Sequence, residues 1–387
     1  MNPARRAWLV AALAAAAQRG WAAARSPIEL PRDFGAHPQT RIEWWYVTGA
    51  LEVLAGAPAP AAAGPAFGFQ LTFFRIRTGL AEGHPSRFAA QQLLFAHAAV
   101  TDLAERRLRH DERIARMGFG IAEASTLDTD LRLRGWRLER SRPVAATAQA
   151  SARAAADARD GTHDYRAQIT SPGQGFGLDL RLTATQPVLL QGQAGWSRKG
   201  PDAAQASHYL SEPQLATTGT LAIDGRRLAV RGQAWLDHEW SDSLLHPEAV
   251  GWDWIGMNLD DGGALTAFRL RRADGSALWA GGSHRPAGGA VRDFGPGEVS
   301  FTPLRHWLSP ATQARYPVDW RVETPAGRFE VHALLDAQEL DSRGLTGTAY
   351  WEGLSELHEA STTDRGAARV VGRGYLEMTG YAGRLAL

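Results

Sequence analysis

From residue 42 onward, apolar and polar side chains alternate with a period of two, and the three-and-four spacing of helices is scarce. The alternation predicts strands over Ile42–Val53, Phe67–Arg77, Gln91–Asp102 and Leu178–Thr185. Further strands are predicted over Gly219–Ile223, Arg227–Trp240, Gly251–Leu259 and Leu265–Arg272. The pattern continues through Val318–Thr324, Arg328–Leu335, Gly347–Gly353 and Val370–Tyr381. Leu54 to Ala66 is rich in Ala, Pro and Gly and reads as a long hairpin loop, whereas 142–162 reads as a loop or short helix. Many short strands separated by turns predict an all-β chain of barrels or sandwiches.

The pattern echoes itself. Glu43-Trp44-Trp45-Tyr46 is followed, after a loop, by a strand ending in Phe74-Arg75-Ile76-Arg77. Trp252-Asp253-Trp254-Ile255 is followed, after the tight-turn signal at Asp261-Gly262, by a strand ending in Phe268-Arg269-Leu270-Arg271. A duplicated unit is therefore expected, dividing near Ser241–Val250 into domains 25–245 and 246–387.

Ahead of the first domain, Arg5 and Arg6 precede an apolar run from Ala7 to Ala17, with small residues at Ala22, Ala23 and Ala24. That order predicts an export signal over 1–24, with adjacent arginines of twin-arginine type, and so a periplasmic or secreted protein. No later stretch is apolar enough to span a membrane. The formal net charge is +1, and without 1–24 it becomes 39 − 41 = −2. With no basic cluster, nothing predicts nucleic-acid binding. The absence of Cys excludes disulfides, thiolate nucleophiles and Cys-ligated metals.

Candidate chemistry lies in three aromatic and acidic motifs. In Trp235-Leu236-Asp237-His238-Glu239-Trp240, strand geometry puts Trp235, Asp237 and Glu239 on one face and Leu236, His238 and Trp240 on the other. Burial and a neighbouring like charge raise a carboxyl's proton affinity, so such a cluster suits proton transfer. Asp253 shares a face with Ile255, Met257 and Leu259, and an acid on an apolar face is either paired by a buried donor or kept protonated for chemistry. In Glu43-Trp44-Trp45-Tyr46, Trp44 and Tyr46 share a face opposite Glu43, which reads as a general acid or base or as an anchor for an Arg. His97, among Leu93 and Phe95 on one strand face, reads more readily as a core histidine than as a catalyst. Tyr350-Trp351-Glu352-Gly353 repeats the aromatic-acid theme, and Tyr375, Glu377, Thr379 and Tyr381 share a face read as a hydrogen-bonded barrel wall. Tyr209 and Ser211, in a stretch read as loop-like, are placed to reach a ligand. There is no nucleophile elbow, phosphate loop, dinucleotide fingerprint or His-Glu-x-x-His, so no cofactor or metal is expected.

Taken together and in order, these motifs resemble the AttH-like and carotenoid 1,2-hydratase superfamily, in its branch of secreted hydrolases. The carrying residues are Glu43–Gly49, Ala96-His97-Ala98 with Asp102, His208–Ser211, Trp235–Ser241, Gly251–Trp254, Tyr350–Gly353 and Gly374–Tyr381. The resemblance implies two tandem lipocalin-like antiparallel β-barrels and a cavity for an apolar small molecule. It implies acid/base hydration or related lyase chemistry carried by Asp237, His238, Glu239 or Asp253. Glu43, Trp44, Tyr46, His97, Tyr209, Trp240, Trp252, Trp254, Glu352 and Tyr381 would contact substrate, the indoles shielding a carbocation. A non-catalytic periplasmic carrier of lipids, or a hydrolase using an activated water, is the alternative. Association with an export permease is also expected.

Overall fold

The computed structural model describes residues 26–54, 64–80, 82–86, 88–141, 163–243, 245–344, 347–360 and 369–384. The expected export signal at 1–24 and the 142–162 segment lie outside them. Helix among the described residues is confined to two 3-10 turns, Arg32–Phe34 and Pro172–Gln174, so no helix is long and apolar enough to cross a membrane.

The strands form two antiparallel sheets. The first contains β1 (Ile42–Val53), β2 (Phe67–Arg77), β3 (Gln92–Asp102), β4 (Arg107–Arg116), β5 (Ala122–Ala124), β6 (Asp130–Leu133) and β7 (Trp136–Arg140). It continues with β8 (Asp164–Ser171), β9 (Phe176–Thr183), β10 (Leu189–Leu190), β11 (Trp196–Arg198), β12 (Ala206–Ile223) and β13 (Arg226–Ser241). The second contains β14 (Gly251–Leu259), β15 (Ala264–Arg271), β16 (Ala277–Arg285), β17 (Arg292–Phe294) and β18 (Ser300–Leu308). It ends with β19 (Arg315–Thr324), β20 (Gly327–Ala333), β21 (Glu339–Ser342), β22 (Thr348–Glu359) and β23 (Arg369–Met378). The fold is the expected all-β, lipocalin-like one. The first sheet is nearly closed, and the turn that leaves its edge strand β4 bridges to the other edge strand, β5, at Gly118–Ala122.

Both units share one closure. The opening strand pairs with the second and with the last: β1 with β2 and β13, β14 with β15 and β23. At each closing seam a glycine permits close approach. A Cβ on Gly232 would lie 1.9 Å from the Ala50 carbonyl oxygen, and one on Gly374 would lie 1.9 Å from that of Gly256. Because the obstacle is backbone, no rotamer relieves it. Gly374→Ala is expected to cost about 1–3 kcal/mol of stability, read as a lower urea midpoint with an unchanged slope.

Each unit has its own core. Trp45, Val47, Phe73, Leu94, Trp136 and Leu236 fill the first, and Ile255, Met257, Trp320, Trp351 and Leu376 the second. A third apolar cluster, with Tyr46 and Trp235 from the first unit and Trp254, Phe268, Leu354 and Tyr375 from the second, joins the outer faces of the closing seams. Alternation explains the division, since one side of each seam strand turns into its own barrel and the other toward the neighbour. The expectation that His208–Ser211 is loop-like is corrected: the segment lies inside β12, paired with β13 on one side and with β10 and β11 on the other.

Candidate active site

The outer faces of the two seams enclose a cavity of about 160 Å³. Trp44, Tyr46, Phe74, Trp252, Trp254, Phe268 and Leu270 supply aromatic and aliphatic wall; Lys199, Tyr209, Asp237, Glu239 and Glu377 supply the polar part. Strand register fixes the arrangement: Tyr46 faces Asp237 across β1 and β13, and Trp254 faces Glu377 across β14 and β23. Tyr46 meets Trp254 edge-on between the units, with ring centroids 5.5 Å apart.

Asp237 accepts three hydrogen bonds, from the Trp235 indole N–H at 2.7 Å, the Ser211 hydroxyl at 2.5 Å and the Tyr209 hydroxyl at 2.9 Å. Three donors favour the carboxylate, but burial outweighs them and pushes the Asp237 pKa up to about 7. Burial likewise raises Glu377 to about 7; a Trp252 indole bond opposes the rise and the charges of Asp237 and Glu239 add to it. Two carboxyl groups lining the cavity, one from each seam, thus exchange protons near neutrality. Glu239 is held by the Ser207 hydroxyl and by Lys199, whose Nζ lies 3.1 Å away.

The other expected site residues fall into three separate places. His238 and Glu43 point into the first barrel, each one residue out of phase with the cavity-facing set. Glu43 accepts Arg75 Nε at 2.7 Å and the His37 backbone N–H at 2.9 Å, and pairs with His238 Nε2 at 2.9 Å. Burial would raise Glu43, but the His238 and His37 rings and the Arg75 guanidinium overcome it and hold Glu43 down at about 2. Trp240 lies with them, stacked on His37 at 3.8 Å and on His208 at 5.2 Å. Asp253 points into the second barrel, where Arg269 Nε donates at 2.7 Å and the Tyr381 hydroxyl at 2.9 Å. Neither His238 nor Asp253 reaches the cavity, which corrects the expectation of one site containing all four catalytic candidates. Period-two geometry is the reason, because a residue between two cavity-facing neighbours turns away. The sequence echo has a structural meaning: Glu43–Arg75 and Asp253–Arg269 are matched ion pairs across the first two strands of each unit.

His97 and Glu352 lie between the units beside the cavity. His97 pairs with Gln70 Nε2 at 3.1 Å and the Tyr350 hydroxyl at 2.6 Å, and burial lowers its pKa to about 3. Gln70 also donates to Glu352, and burial with the nearby charge of Glu377 pushes Glu352 well above the carboxylate range.

His37, Glu43 and His238 bring three potential metal-ligating atoms within 4.8 Å of one another. The same Glu43 carboxylate already receives a fully buried guanidinium, whose charge opposes a cation. The cluster suits an ion-pair network better than a metal centre.

Sequence reasoning passed over two cavity residues. Glu377 was visible as an acid flanked by Leu376 and Met378, which both turn inward, but was read as barrel wall. Lys199 is the only lysine among 42 basic residues in the chain, and that singularity was the available signal.

The AttH-like family model matches residues 22–381. The fold is similar to the crystal structure of an AttH-type protein from Nitrosomonas europaea, at 44% identity, a TM-score of 0.76 and coverage of 92% of this chain and 98% of that one. It is also similar to kievitone hydratase from Nectria haematococca, at 14% identity, a TM-score of 0.64 and coverage of 93% and 94%. CghA, solved with Sch210972, matches at 13% identity, a TM-score of 0.54 and coverage of 88% of each chain. At such low identity the last two bear on fold alone. No curated protein sequence matches.

Proposed function

The chain belongs to the AttH-like family, and on that footing we propose that it is an acid/base hydratase, or the corresponding hydro-lyase, acting on an apolar isoprenoid- or lipid-like substrate. The observation that carries this reading is the pair of carboxyls, Asp237 and Glu377, both near pKa 7 in an indole-lined cavity between the barrels.

The two carboxyls suit opposite roles. Two acids that both titrate near 7 leave a large share of molecules with one charged and one neutral at neutrality. Asp237 has three donors to support a negative charge, whereas Glu377 has one indole. Glu377 is therefore assigned as the acid. Its proton forms a C–H bond at one alkene carbon, and the electron pair of the double bond is consumed, leaving a cation on the other carbon. Trp44, Trp252 and Trp254 offer π-faces to that cation. Water forms the C–O bond and passes a proton to Asp237, after which proton exchange restores the pair. Lyase chemistry is the same path reversed.

The test is incubation with acyclic terpenoid alkenes in heavy-oxygen water. A labelled alcohol supports the reading; ligand retention without labelled product from any alkene would leave the carrier reading in its place. Where product forms, kcat/KM is expected to peak near pH 7. It falls above because Glu377 loses its proton and below because Asp237 gains one. A rate that climbs steadily to pH 9 would contradict the assignment.

Export belongs to the same proposal, supported by Arg5-Arg6 and the apolar run over residues 7–17.

A further inference from the structure

We propose that the ligand is longer than the acidic cavity and runs past Lys199 into a second chamber, where the lysine ammonium donates to a neutral oxygen of the ligand. This inference rests on the reading above and names the shape and chemistry of what the site takes.

Size comes first. A dry protein cavity of about 150 Å³ holds one benzene, and the acidic cavity is about 160 Å³. It therefore accommodates one ring or one branched alkene end, and the rest of an isoprenoid or lipid must lie elsewhere. A chamber of about 500 Å³ adjoins it, lined in part by Trp196, Ala203, Trp279, Gly281 and Phe294. Tyr209 and Phe268 line both spaces and form the wall between them.

Lys199 stands at that wall. Its Nζ lies 4.5 Å from the Tyr209 ring centroid, 4.7 Å from that of Phe268 and 3.1 Å from Glu239 Oε1. An ammonium has three N–H donors. Glu239 takes one; the others lie over ring faces, contacts that a hydrogen-bond acceptor can replace. Because Glu239 already meets the charge, a hydroxyl or carbonyl is favoured over a carboxylate, which would face Glu239 at close range. The adjoining backbone is pinned: the Trp279 indole donates to the Arg198 carbonyl at 3.0 Å, and the Arg198 guanidinium lies 4.7 Å from the Trp279 ring centroid. The flexible lysine stem is thus carried on a fixed strand, β11 and the residue after it.

The experiment titrates the full chain with 1-butanol through 1-dodecanol, read by tryptophan fluorescence. Wild type is expected to gain about fourfold in affinity per methylene well beyond hexanol. Gly295→Trp, lining the outer chamber where a Cβ would meet only the Glu298 carboxylate, and Ala203→Trp, on an exposed turn at its rim, should halt the gain near hexanol while leaving butanol within twofold. Lys199→Met should weaken decanol about tenfold. A wild-type plateau at butanol, or an unchanged length series in both chamber variants, would overturn the proposal. Length-dependent binding without hydration of any alkene would sink the catalytic reading and leave this one intact; hydration without length dependence would do the reverse.

Discussion

Glu377→Gln is expected to lower turnover by about 10²–10⁴-fold while ligand affinity stays within a few fold. The amide keeps the size of the side chain and the cavity wall but has no proton acidic enough for carbon. Asp237→Asn should lower turnover to a similar degree and carry a second penalty. Its carboxylate receives three donors, and the rigid Trp235 indole N–H at 2.7 Å and the Ser211 hydroxyl at 2.5 Å converge on one oxygen. With the amide oxygen kept on that side, the amide N–H takes the place of the other oxygen and the Tyr209 hydroxyl must turn from donor to acceptor, losing its bond to a carboxylate at a cost of about 1–3 kcal/mol of stability. The two variants separate in one experiment: single-turnover hydration and a urea titration on each. A chain in which Glu377→Gln turns over as fast as wild type would show that the acid lies elsewhere.

The largest expected loss of stability lies away from the cavity. Arg75 is fully buried and donates to Glu43, to the carbonyls of His37 and Thr40, and to the Thr40 hydroxyl. Arg75→Met leaves Glu43 buried without its cation and is expected to cost about 3–5 kcal/mol. Arg269→Met in the second barrel should cost less, because Asp253 keeps Arg271 at 3.3 Å and the Tyr381 hydroxyl. Arg231→Met, at an exposed pair with Glu52, should leave the midpoint unchanged. Urea denaturation of the three variants gives the order directly, and equal losses from Arg75 and Arg231 would contradict it.

These residues also show how far a sequence can be read. Alternation placed Trp235, Asp237 and Glu239 on one face and sent His238 to the other, because strand geometry depends only on spacing. It did not show which face meets the other barrel. In β1 both faces are buried, Trp45 by its own core and Tyr46 by the neighbour, so no contrast in polarity marks the boundary. The sequence left Glu43 open as a general acid or base or as an anchor for an Arg, and Asp253 as paired by a buried donor or kept protonated for chemistry. What makes them structural is an arginine on the adjacent strand, and that register emerges only when the strands pair. The Phe-Arg-x-Arg echo held half of this information without the partner. Glu377 and Lys199 were legible as residues but not as site members, since their importance comes from the meeting of segments 178 positions apart in the chain.

The solitary lysine also makes the protein chemically addressable. Apart from the α-amino group, an acylating ester or reductive-alkylation reagent meets one primary amine in the chain, and that amine borders the cavity. A fluorophore or isotopic methyl group could thus be installed beside the ligand without altering a codon, and its signal would report on what enters.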